Sequence, residues 1–168
     1  MLSALLALSM GIEPAVIVQT LKTFPGVEHR LEFVREFDGV EYINDSKGTN
    51  AASTIRAIEA MTRPTVLILG GYDKHVGFSE LFDHFGDIVK ACVILGETRA
   101  QLIDTACAKG FGTLCHPVDR FEDAVNLARE LAVPGDTVLL SPACASWGMF
   151  ENFEQRGRIF KDIVKHFA

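Results

Sequence analysis

Residues 44–50 bring together a carboxylate (Asp45), two hydroxyls (Ser46 and Thr49), an amine (Lys47) and a glycine (Gly48). A helical pattern follows, and Thr49 or Asn50 is of the type that caps a helix N-terminus. The first amides of such a helix lack intrahelical acceptors and favour an anion. An ordinary capped turn would account for much of this composition. Lys47 argues for more, because a lone cation at a helix N-terminus opposes the dipole unless an anion lies between them.

Two further loops carry similar groups. Gly70, Gly71, Tyr72, Asp73, Lys74 and His75 follow an apolar run. The paired glycines allow close backbone approach, and Lys74 supplies one positive charge; His75 alone suits a surface position. Residues 141–150 run Ser-Pro-Ala-Cys-Ala-Ser-Trp-Gly-Met-Phe, small residues and then the only tryptophan of the chain, as expected of a loop packed against a pocket. Cys144 lacks a Cys–His–Asn or Cys–His–Asp order, which argues against a nucleophile. Ser141 and Ser146 lack the GxSxG elbow of serine hydrolases. There is no GxxxxGK[ST] phosphate loop, and no GxGxxG after the first strand of the sheet, which removes a redox Rossmann domain from consideration.

These loops need a scaffold, and the chain has the length and composition to build one. With 168 residues, 48% hydrophobic and 23% charged, it suits one domain with a sizeable core. The net charge of −6, with no basic cluster, argues against nucleic acid and anionic membranes as partners. No apolar run approaches the ~20 residues of a membrane span. Four cysteines without CxxC or metal spacing point to a reducing cytoplasm and to no metal site. In so acidic a chain an anionic ligand needs a few specific cations, so single lysines and arginines in glycine-rich loops gain weight.

The periodicity predicts helices over residues 2–10 and 14–24, then a hairpin of strands 31–37 and 40–43 turning at Asp38 and Gly39. Strands at 65–69, 91–95, 112–116 and 137–140 then alternate with helices at 50–61, 79–89, 99–109 and 121–131, and a last helix spans 153–167. Continuous apolar strands of this kind are buried on both faces. Their alternation with helices predicts an α/β fold, a doubly wound, mostly parallel, Rossmann-like sheet with an N-terminal hairpin strand pair. Residues 1–24 stand outside that alternation.

Taken in order, four motifs are specific. His29-Arg30, the run Asn44-Asp45-Ser46-Lys47-Gly48-Thr49-Asn50, Gly70-Gly71 with Asp73-Lys74, and Ser141 to Trp147 followed by Asn152-Phe153-Glu154-Gln155-Arg156-Gly157 resemble the C-terminal domain of the Mur ligases of peptidoglycan synthesis. The resemblance covers essentially the whole chain. It points to the D-glutamate-adding branch, because other Mur ligases and folylpolyglutamate synthases tend to carry an Asp-x-x-His-x-Pro type motif where this chain has Lys47, Thr49 and Asn50. Gly148 stands where a polar or acidic residue is more usual.

The resemblance implies an ATP-dependent, amide-forming ligase of cell wall biogenesis. ATP phosphorylates the carboxylate of UDP-N-acetylmuramoyl-L-alanine, and the amine of D-glutamate attacks the acyl phosphate. It implies residues 1–26 as a helical tail of the central ATPase domain and 27–168 as the amino-acid-binding domain. The family's phosphate loop, magnesium ligands and carbamylated lysine belong to that central domain, so Mg would be bound mainly outside this chain and the fragment would be inactive alone. By motif, Arg30 and Asp45 would hold the ATP ribose, and Lys47 would act catalytically near the phosphates. Thr49, Lys74, Ser146 and the Phe153 backbone would hold the two carboxylates of D-glutamate. The implied protein is a cytoplasmic monomer. The alternative is a free-standing module of the same fold that binds a small ligand without catalysis, since fold alone does not settle function.

Overall fold

In the computed structural model, which describes residues 2–168, Asp38 (φ 51°) and Gly39 (φ 76°) adopt the paired positive φ of a primed hairpin turn. They fold β1 (Glu32–Phe37) back on β2 (Val40–Asn44) as an antiparallel pair, with a register shift between Phe33 and Arg35. The four later strands, β3 (Thr65–Gly70), β4 (Val89–Leu95), β5 (Cys115–Pro117) and β6 (Thr137–Leu140), join β2 in parallel. The order across the six-stranded sheet is β1-β2-β6-β3-β4-β5. The last strand in sequence thus returns to the centre, where β3 and β6 are buried along their whole length.

Alternation along the strands divides the core in two. Leu67, Leu69, Cys92, Ile94 and Leu139 face α3 (Ala51–Glu59), α4 (Ser79–Asp83) and α5 (Arg99–Ala108). Val66, Ile68, Val93, Val138 and Leu140 face α6 (Phe121–Leu131) and α7 (Phe153–Lys165). Helices on both faces of a mostly parallel sheet make the fold doubly wound, as the apolar pattern predicts.

Two elements differ from that pattern. The helix predicted over 79–89 ends at Asp83, because the chain turns through Gly86 (φ 50°) and Val89 enters β4. Phe82 and Phe85 stay buried and continue the helical spacing through the turn. The strand predicted over 112–116 is a 3-10 turn, Gly112–Leu114, followed by three strand residues. There Leu114 N–H donates to Phe111 C=O, so the backbone is satisfied locally before pairing begins.

The first helices, α1 (Leu2–Ser9) and α2 (Pro14–Thr23), contain no buried residue among those described. Leu2, Leu5, Leu6, Met10, Leu21 and Phe24 are all exposed. Among the described residues no helix is long and apolar enough to cross a membrane.

Candidate functional site

Strands β2, β6 and β3 lie side by side, so the loops at their carboxyl ends converge although they are distant in sequence. In open α/β sheets that edge is where ligands bind.

The first loop is pinned before it reaches solvent. Asn44, the last residue of β2, donates from Nδ2 to His29 Nδ1 and Glu32 Oε2, both at 2.9 Å, and accepts from Ser46 N–H at 3.1 Å. Asp45 N–H donates to Leu140 C=O (2.8 Å), which ties the loop to β6. The Asp45 side chain is buried and accepts from Ser141 Oγ (2.7 Å) and Leu31 N–H (3.3 Å). Burial pushes its carboxyl above the ordinary aspartate range, and the donors and Arg30 only partly offset this. A Cβ at position 48 would stand 2.6 Å from Asp45 Oδ2 and 2.8 Å from Ser141 Oγ, so only glycine lets the loop close over that pair. Asn50 caps α3, accepting from Ser53 N–H at 2.9 Å.

Two cavities flank this loop. Arg30, Leu31, Asp45, Lys47, Gly48 and Arg56 help to line one of about 300 Å³. The other, of about 250 Å³, is lined by Thr49, Lys74, Ser146, Trp147, Asn152, Phe153 and Glu154 among others. The structure therefore gathers Thr49, Lys74, Ser146 and Phe153 around one space, and Arg30 and Asp45 around a second. Lys47 stands between the two, lining the first while its Nζ lies 5.6 Å from the Phe153 ring centroid.

The second cavity is polar on several sides. Lys74 Nζ is 3.5 Å from Thr49 C=O and 5.7 Å from the Trp147 ring centroid. Tyr72 packs edge-on against Trp147, and its N–H donates to Ala145 C=O, joining the glycine loop to the tryptophan loop. Asn152 caps α7, accepting from Gln155 N–H (2.8 Å). The Phe153 amide is at the first helical position and has no intrahelical acceptor. The cavity thus offers a cation, hydroxyls and a helix N-terminus, a donor set suited to carboxylates.

Several organising residues carry no role by motif. Arg156 is 1% exposed. Its guanidinium donates from Nε to Ser46 Oγ (3.0 Å), from Nη2 to Ser46 C=O (2.8 Å) and from Nη1 to Cys144 C=O (3.1 Å). Ser46 Oγ in turn donates to Phe153 C=O at 2.8 Å. Arg156 occupies the apolar stripe of α7 together with Gly157, Phe160 and Val164, and an arginine at that spacing is the sequence signal that marks it. His29 is buried against Gly157 and Phe153, and burial holds its imidazole below the ordinary histidine value. Its Nδ1 accepts from Asn44, which leaves the proton on Nε2, and its C=O accepts from Lys47 N–H (3.0 Å).

Glu28, His29 and Glu32 bring ligand-type atoms within 4.8 Å of one another. The cation they meet is Lys161, whose Nζ donates to Glu28 Oε1 (2.6 Å) and Glu32 Oε1 (2.9 Å). Burial pushes the Cys144 thiol up, and its hydrogen-bonding neighbour is Thr98 Oγ1 rather than an imidazole, so it is poorly placed to be a nucleophile. A further cavity of about 310 Å³, lined by Gly71, Gly96, Glu97, Arg99, Asp119 and Trp147 among others, lies beyond the tryptophan; it shares Gly71 and Trp147 with the motifs but includes none of the residues given a ligand-binding role.

A doubly wound sheet with two polar cavities at its topological switch defines an α/β domain of Rossmann-like architecture, with its cavities where such folds bind ligands. Comparison with known proteins narrows this. Residues 29–144 match the family described as Mur ligase, glutamate ligase domain, and the chain belongs to that family. It is 51% identical over 156 residues to UDP-N-acetylmuramoylalanine--D-glutamate ligase of Lachnospira eligens, covering 93% of this chain and 34% of that protein. It is 52% identical over 155 residues to the enzyme of the same name from Clostridioides difficile, covering 92% of this chain and 34% of that protein. The chain thus spans about a third of the length of the curated relatives it matches. Among solved structures it resembles UDP-N-acetylmuramate-alanine ligase of Thermotoga maritima, with a TM-score of 0.67 at 14% identity over 95% of this chain and 35% of that one. It also resembles Mycobacterium tuberculosis folylpolyglutamate synthase complexed with ADP and AMPPCP, with a TM-score of 0.62 at 15% identity, covering 88% and 35%. At these identities the two structures speak for the fold alone.

Proposed function

We propose that this chain is the C-terminal domain of an ATP-dependent ligase that joins D-glutamate to UDP-N-acetylmuramoyl-L-alanine in peptidoglycan synthesis. The observation that carries the reading is the convergence of Thr49, Lys74, Ser146 and Phe153, from three loops, on one cavity of about 250 Å³. D-Glutamate presents two carboxylates, and with its amine deprotonated for attack it is a dianion. In a chain of net charge −6 it needs a local cation and directed neutral donors, and Lys74, the two hydroxyls and the Phe153 amide supply them. Holding both carboxylates leaves the amine one orientation, which supports selection of the D isomer and near-attack placement.

In this reading the cavity of Arg30 and Asp45 takes the nucleotide. Arg30 lies at its exposed edge, and the Asp45 carboxylate keeps free lone pairs to accept from ribose hydroxyls. Lys47, between the cavities, faces the phosphates and the reacting groups. Magnesium and the UDP substrate fall mainly to the part of the relatives that this chain does not span. The exposed apolar faces of α1 and α2 support assigning residues 1–26 to the tail of a preceding ATPase domain, with 27–168 as the amino-acid domain. Closure of one domain on the other would complete the site, so the fragment alone is expected to be inactive.

Steady-state kinetics of the intact ligase test the assignment. Lys74→Ala is expected to raise the KM for D-glutamate at least tenfold with the KM for ATP near that of the parent. Asp45→Ala should do the reverse. An unchanged D-glutamate dependence in Lys74→Ala would remove the pocket from the reading.

A further inference from the structure

Arg156 is a charge in an unusual setting. Among the described residues it has no carboxylate partner, and its contacts are two carbonyls and a hydroxyl. Burial pulls its pKa down to about 10, so it remains protonated at neutral pH, and the neighbouring Cys144 thiol is neutral there. Burying an uncompensated guanidinium is unfavourable, and proteins usually pair such a group. The Asp45 carboxylate does not serve, since it is directed to Ser141 and Leu31. Glu28 and Glu32 are engaged by Lys161.

The three contacts of Arg156 share a geometry. Ser46 C=O lies on the loop that continues through Lys47 to Thr49, Cys144 C=O lies two residues before Ser146, and Ser46 Oγ passes the contact on to the Phe153 carbonyl. One planar fork therefore fixes the backbone of three walls of the cavity assigned to D-glutamate, from behind. We infer that Arg156 is the positioning residue of that cavity and that the bound dianion is its missing counter-charge, felt through one layer of peptide dipoles. This rests on the D-glutamate reading given above. The Lys47 N–H of the Ser46 peptide unit is itself taken by His29 C=O, so the cation acts on the ligand from one peptide layer behind the cavity wall, by holding that wall and through its field, rather than as a direct ion pair.

The experiment separates charge from scaffolding in the intact ligase, with D-glutamate and D-glutamine, which lacks the side-chain carboxylate, as probes. Arg156→Met removes fork and charge. It is expected to raise the D-glutamate KM at least tenfold, to leave the ATP KM within about twofold, and to cut the preference for D-glutamate over D-glutamine at least fivefold. Arg156→Lys keeps the charge and loses the fork, so its D-glutamate KM should rise while the preference is retained. Arg156→Met with both substrates weakened equally would overturn the electrostatic role. So would a D-glutamate KM within twofold of the parent. If Arg156→Met does not fold by circular dichroism and thermal melting, Arg156→Lys decides, and loss of the preference there overturns the inference. An unchanged D-glutamate KM in Lys74→Ala removes the pocket itself, and this inference with it, independently of any result at Arg156.

Discussion

Gly157→Ala gives the sharpest test of the packing beneath the site. In the interior of α7 this change is ordinarily stabilising, by roughly 0.5–1 kcal/mol, through helix propensity. Here the new Cβ would stand 2.8 Å from His29 Cε1 and 3.1 Å from Asn44 Nδ2, and closer still to His29 Nδ1. The ring cannot easily withdraw, because Nδ1 is bonded to Asn44 and the ring packs edge-on against Phe153. Forcing a methyl into a filled site costs about 1–3 kcal/mol. Parting His29 from Asn44 leaves buried groups unsatisfied, about 1–3 kcal/mol more. After the helix gain, the net loss spans about 1–5.5 kcal/mol and centres near 3 kcal/mol. Urea denaturation of the 168-residue chain, fitted with a shared m-value, measures it. The control is the cycle with His29→Ala, which vacates the contested space. On that background Gly157→Ala should become neutral or stabilising, with a coupling at least as large as the loss in the parent chain. A neutral or stabilising Gly157→Ala in the parent chain would refute the close approach. An additive cycle would refute its assignment to His29.

Asp45 carries a carboxyl raised by burial, so the folded state binds more protons than the unfolded state just above the ordinary aspartate value, and stability falls as pH rises through that window. Asp45→Asn should therefore equal the parent in urea denaturation below about pH 4 and exceed it at neutral pH, with weaker ATP use in the intact ligase; a parent that is more stable at neutral pH would contradict this. Cys107 is exposed while Cys92 and Cys144 are buried with raised thiol values, so iodoacetamide should modify Cys107 first in the folded chain, and early labelling of Cys144 on peptide mapping would count against the described packing. Asn50→Ala, which removes the cap of α3, should cost about 1 kcal/mol by the same denaturation, and no loss would show that Ser53 N–H is satisfied otherwise.

The scaffold was largely legible because two periodicities dominate it. Residues 65–69 and 137–140 are continuously apolar where strands are buried on both sides, and Asp38-Gly39 marks the hairpin directly. Residues 79–89 misled because Phe82 and Phe85 keep helical spacing through a turn that the backbone takes at Gly86. Within the site, the loop residues were visible as types. Their division between two cavities came only through the motif resemblance and not from residue type or spacing, because it depends on β6 returning between β2 and β3, which sets Ser141 beside Asp45 across 96 positions of sequence. His29 was visible only as a motif member. Its packing work depends on the absence of a side chain at Gly157, and no single position signals such a vacancy.

The two outer strands differ in kind but act alike. Strand β1 presents Glu32, Arg35 and Glu36 and is broken in register after Phe33, whereas β5 has only three paired residues and ends in Pro117, which has no N–H to offer. Neither margin gives a neighbouring chain a long row of free amides and carbonyls to align with. A sheet with so apolar a centre would otherwise invite self-association through its backbone. Charge and a bulge on one side, and brevity and proline on the other, disfavour the addition of a further strand at either margin of the six-stranded sheet.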